Sequence, residues 1–157
     1  MGVEIADHIL MRGRLEILLC NAETGAVVKK IVHDNTIVTS GRRWVMEAIY
    51  SGGPATAQSI THLAVGTSTT APATGDTALG SEAVRIAVGT WTTTNVTSVA
   101  PSWRAEGSFA TNQANTTLGE AALLNSSSGG TMLGRATFST IDKTTSNTLS
   151  ISYTVSN

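Results

Sequence analysis

Few side chains in this 157-residue chain have a type and spacing that chemistry could use. Glu82, Glu106 and Glu120 each sit inside an apolar stretch. A carboxylate taken out of water either shifts its pKa or is neutralised by a cation. Two of them sharing a cleft would supply a general acid and a general base. Arg85, Arg104 and Arg135 lie in the same strand-like segments, however, and the simpler expectation is three structural ion pairs that fix strand register or subunit contacts. The three histidines, His8, His33 and His62, stand at no metal-ligand spacing from one another, from the single cysteine or from a carboxylate. No phosphate loop, nucleophile elbow or paired-cysteine motif occurs. In a chain this rich in serine, a Ser-His-Asp set assembled on paper carries no information. The expectation is a protein that is not an enzyme, with no catalytic residues, no metal and no cofactor.

The elements that would position these residues read as strands. Charged residues make up 13% of the chain, about half the ordinary share, while Ser and Thr together supply roughly a quarter. Small or β-branched hydroxyl residues face water on a strand without weakening it. The composition therefore suits a β protein with much partner-facing sheet. A net charge of −1 without a basic stripe argues against nucleic-acid binding. No apolar run is long enough for a membrane span. The acidic N-terminus does not look like a signal peptide, so the chain is expected to be made and to stay soluble in a cytoplasm. Cys20, between leucine and asparagine, is expected to be a reduced, buried thiol.

In chain order, residues 1–14 form an N-terminal arm and 15–157 one domain. Leu15–Cys20 and Ala26–Val32 read as a hairpin around Gly25, with Lys29 and Lys30 near an edge. The convincing helix is short, about 42–50, with Thr39 or Ser40 as its cap, and it plugs an end of the domain. Ile60–Val65 is a strand, Thr67–Gly75 an ordered polar loop, and Leu79 the anchor of the returning chain. Val84–Trp91 follows as a strand. Trp103, Ala105 and Phe109 share one strand face, and Leu118–Leu124 and Met132–Ile141 are further strands. Leu149, Ile151, Tyr153 and Val155 alternate with hydroxyl residues, which places the four in the core. The sum is an all-β, jelly-roll-like β-sandwich with one short helix and an arm.

The run Asn35-x-Ile37-Val38-x-x-Gly41, then Leu63–Thr67, Asp76-Thr-x-Leu79 with Glu82 and Arg85, Glu120–Leu123, Leu133–Phe138 and Leu149–Tyr153 resembles a group of small virion structural proteins of tailed bacteriophages. The resemblance spans roughly residues 35–155 and contains no catalytic signature. It implies a capsid decoration (cement) protein that binds the head lattice, or alternatively a tail, neck or baseplate component. The implied partners are the major capsid protein, or tail and neck proteins, and the chain itself as a homo-oligomer, with a trimer expected. The implied location is the virion, reached from the host cytoplasm. The arm residues Val3, Ile5, Ile9, Leu10 and Met11 are apolar enough to need burial, and a neighbouring copy would provide it. A carbohydrate-binding module is the competing expectation from another class. It needs exposed aromatics, for which Trp91 and Trp103 are the candidates, and indoles buried in the core would remove it.

Overall fold

A computed structural model describes residues 11–50, 59–93 and 102–156, apart from the side chains of 47–50. Val3, Ile5, Ile9 and Leu10 fall outside these residues. The strands are β1 (Arg12–Asn21), β2 (Val27–Ile37), β3 (His62–Gly66), β4 (Glu82–Ala87), β5 (Thr90–Thr93), β6 (Ser102–Phe109), β7 (Thr117–Leu124), β8 (Met132–Asp142) and β9 (Asn147–Ser156). Helix α1 (Thr39–Tyr50) lies between β2 and β3. The fold is all-β: one curled, fully antiparallel sheet in the order β4-β3-β7-β8-β2-β1-β9-β6-β5.

The curl makes the sheet sandwich-like. Strand β2 pairs with β1 over most of its length and with β8 only through Thr36 and Ile37, so it turns the corner between two faces. Between those faces Leu15, Ile17 and Leu19 of β1 and Leu149, Ile151, Tyr153 and Val155 of β9 join Leu63, Val65, Leu123 and Leu133 in one core. Outside, the same strands carry hydroxyls and isolated ion pairs. Ser150 bonds to Ser108, and Ser152 bridges Arg104 and Glu106.

Several boundaries differ from the sequence reading for physical reasons. Arg12–Arg14 belong to the sheet rather than to the arm, because Gly13 and Arg14 pair with both Asn35–Asp34 and Val155–Thr154. The expected single strand Val84–Trp91 is two strands on opposite edges. Val88 and Gly89 cross between them, donating to the Thr61 and Glu106 carbonyls and drawing the two edges of the sheet together. Strand β3 starts at His62, not Ile60. Cys20 is only half-buried, since its position in the register alternates with inward-facing Leu19.

The helix starts at Thr39, three residues earlier than the apolar stripe suggests. Neither Thr39 nor Ser40 performs the expected cap. The Val38 carbonyl accepts the first helical bond, from the Arg42 N–H, and the Ser40 hydroxyl donates instead to the Met132 carbonyl of β8. Gly41 makes this docking possible, because a Cβ there would lie 2.2 Å from the Leu133 carbonyl oxygen. Backbone cannot yield as a flexible side chain can. Gly41→Ala is therefore expected to lower stability by about 1–3 kcal/mol in urea unfolding. An unchanged midpoint would show that the helix can lift from β8 without cost.

The Arg135 latch and the loop it holds

Strands β7 and β8 are buried almost throughout, where β1 and β9 alternate. A strand covered on both faces has no polar side to show in its sequence. Their second face, continued by the neighbouring β3, carries Ala64, Ala122, Leu124 and Met132, and Leu79 and Val38 pack onto it as a separate apolar cluster. The segment from Thr67 to Ser81 therefore forms a third layer over this half of the sheet, with Leu79 as its apolar anchor. Its polar anchor is an ion cluster on the same face.

Glu120 is fully buried and Arg135 nearly so. The Arg135 Nε and Nη2 groups each lie 2.8 Å from Glu120 Oε2. Arg135 Nη1 donates to Asp76 Oδ2 at 2.8 Å, and Nη2 reaches the Thr70 carbonyl at 3.1 Å. Glu120 also accepts three backbone N–H groups: Ser81 at 2.7 Å, Gly80 at 2.9 Å and Ser68 at 3.3 Å. The two ends of the loop and its middle are thus tied to one pair of side chains. Gly66 permits the approach, since a Cβ there would sit 2.5 Å from Glu120 Oε1 and 2.3 Å from the Ser81 carbonyl oxygen. A carboxylate has about four lone-pair sites, and four hydrogen bonds already converge on this one. The arrangement clamps a loop and leaves no lone pair to take a substrate proton.

Asp76 completes the latch from a tight turn, accepting the Ala73 N–H at 2.9 Å. That backbone bond, together with the hydrogen bond and charge of the Arg135 guanidinium, holds its pKa below the usual carboxylate value. A depressed carboxylate contributes stability that is complete above its unfolded pKa and disappears as pH falls through the folded value. Amide exchange across residues 67–81 is expected to accelerate as pH drops below about 4, after correction for intrinsic rates. Asp76→Asn should show faster exchange at neutral pH and a flatter acid response. Identical profiles for the two proteins would mean that Asp76 does not hold the loop.

The other two expected pairs lie nearer the surface. Arg85 makes a two-pronged contact with Glu82 at 2.9 and 2.7 Å and also donates to the Ser126 and Gly129 carbonyls. Residues three apart on a regular strand face opposite ways; a one-residue slip of register beside Glu82 puts these two on the same side. Arg104 meets Glu106 at 2.9 Å on the exposed face of β6. The structure thus places Glu82 with Arg85, Glu106 with Arg104 and Glu120 with Arg135, at three separate places. It gathers no two of these carboxylates into one cleft.

Two members of this chemistry have no counterpart in the sequence reading. One is Asp76 as the second acceptor of Arg135. The other is Lys143, 2% exposed, whose ammonium donates to the Ala110 carbonyl, Asn115 Oδ1 and the Thr144 carbonyl. Burial lowers its pKa. It fastens the turn around Ala114, a non-glycine residue at φ 54°. Its sequence signal is weak, a lone lysine among threonines with no periodicity. His33 and His62 each bond within their own neighbourhood, to the Asp34 carbonyl and the Thr61 hydroxyl. Among the described residues, no three His, Cys, Asp or Glu side chains gather as a metal site. No described helix is long and apolar enough to cross a membrane.

Trp103 packs against the core from its margin, and Trp91 is 46% exposed. The two rings stand 5.5 Å apart at 50°. Full burial of both indoles, the observation that would remove a carbohydrate-binding role, is therefore not what the structure presents. Compared with protein-family models, characterised proteins and solved structures, the chain matches none.

Proposed function

We propose that the chain is a structural protein of a tailed-bacteriophage particle, a capsid decoration protein that binds the head lattice as an oligomer, with three copies the expected assembly. The observation that carries this reading is the Arg135 latch. Buried charge is costly unless fully paired, and here it is spent on holding a polar surface loop in one shape. A loop held on a rigid scaffold is a docking element. The outer face of β9, where Thr148, Ser150, Ser152 and Thr154 alternate with the core residues, supports the same reading, since a hydroxyl-lined strand can meet a partner without desolvating charges of its own. The test is to locate the chain in purified particles by labelling and imaging. Copies on the head lattice support the proposal. Copies confined to the tail axis or neck would move it to the rival virion role, and exclusion from particles would end it.

A further inference from the structure

All three tryptophans of the chain border one cleft of about 490 Å³. It is lined by Trp91 and Trp103, whose rings are in contact, by Trp44 and Val45 of the helix, and by Ile60. Among the described lining residues, the hydroxyls of Ser59, Thr61 and Thr93 interrupt an apolar surface, and none carries a charged side chain. The Trp44 Nε1–H is buried there with no acceptor among the described residues. The cleft is the mouth of the curled sheet, at the end where β1 and β6 begin and β9 finishes: Arg12, Ser102 and Ser156 pair side by side.

Ser59 and Thr93, which line the cleft, flank two of the stretches outside the described residues, 51–58 and 94–101, and Met11 flanks a third, 1–10. Their compositions differ. Residues 51–58 read Ser-Gly-Gly-Pro-Ala-Thr-Ala-Gln, and 94–101 offer only Val96 and Val99. Residues 1–10 carry Val3, Ile5, Ile9 and Leu10, the one set of large apolar side chains among the three. The arm leaves the fold two strands from Trp103, because Gly13 and Trp103 both pair with Val155. Met11, at its root, already packs on the core. Residues 8–12 contain none of the Gly, Pro, Asn, Asp or Ser that reverse a chain tightly. β1 itself runs from Arg12 at the mouth to Asn21 at the far end, so the N-terminal end of the strand is directed out of the mouth rather than into it.

We propose that the tryptophan cleft is the seat for the N-terminal arm, residues 1–10, of a second copy of the chain. Apolar side chains of the arm fill the cleft. Exchange of one identical segment between protomers builds an oligomer without a new binding surface. The inference deepens the oligomer part of the proposed function and is independent of where on a particle the chain resides.

Every tryptophan reports on the cleft, so intrinsic emission is read against oligomeric state over a dilution series of the full chain. The expected result is an emission shift to the blue in step with association. The full-length double variant Ile5→Asp, Ile9→Asp should need at least about tenfold more protein to associate, as loss of central apolar anchors does. Should that variant misfold, excess synthetic peptide 1–12 added to the wild-type oligomer should dissociate it while emission stays blue. Blue emission from a monomer at every dilution would overturn the proposal in favour of the chain's own arm. A neutral oligosaccharide that shifts emission where the peptide does not would overturn it in favour of a glycan site. Association that survives both the variant and the peptide would overturn it as well. Loss from particles with arm-dependent association intact would sink only the virion placement.

Discussion

Arg135→Met is expected to destabilise the protein by about 3–5 kcal/mol, the range found when one partner of a buried ion pair is removed. The loss comes mainly from what is left behind. Glu120 would stay fully buried with three backbone N–H groups but no cation, and Asp76 would lose its Nη1 donor. Two consequences separate this from ordinary loss of packing. Glu120→Gln added to Arg135→Met should recover part of the stability, because it removes the stranded charge. Amide exchange should also rise first across residues 67–81, where Ser68, Gly80 and Ser81 depend on Glu120. Urea unfolding measures the first and exchange mass spectrometry the second. A change within about 1 kcal/mol would mean that water reaches the pair, which would then behave like a surface salt bridge.

Ile151→Ala should cost about 2–5 kcal/mol, as truncation of a buried aliphatic side chain does. Ile151 is 1% exposed at the centre of β9, between Ile17 on one side and Gly107 on the other. The glycine leaves room that Leu63 and Ile86 fill from the opposite face, so the site is already tightly occupied and collapses poorly around a hole. The neighbouring Ser150→Ala, on the outer face, where the hydroxyl meets Ser108 at 3.4 Å, should change stability by no more than about 0.5 kcal/mol. Equal effects at the two positions would reverse the facing of the strand.

How far the sequence reveals this molecule depends on whether a strand has one buried face or two. β9 is legible residue by residue because water covers one side, and the alternation of Leu149, Ile151, Tyr153 and Val155 with hydroxyls records it. β7 and β8 are legible only as apolar runs, since the loop and its Leu79 anchor bury their second face and erase the alternation. Glu120 and Arg135 stand out because a charge inside such a run needs a partner. Asp76 does not, because it comes from a polar turn where an aspartate is ordinary. The break at Val88 and Gly89 is nearly as silent, since Val84, Ile86 and Val88 keep period two up to it and only the out-of-phase Trp91 departs from the pattern. Strand number and spacing suggest a jelly-roll-like arrangement, but pairing order depends on long-range contacts that no local pattern encodes. The observed order places β2 beside β8 and β1 beside β9.

The pairing of β1 with β9 also bears on how the protein is made. Leu19 meets Leu149, about 130 residues later in the chain. At roughly 5–20 residues per second, β1 emerges from the ribosome on the order of 10 seconds before its partner exists. Until then β1 has only β2 to pair with, and a lone hairpin is at best marginally stable in water. The nascent chain therefore has to wait with one edge of an apolar strand unpaired. Truncated chains ending before Asn147 should be caught by chaperones or proteases, whereas chains extending past Ser156 should fold.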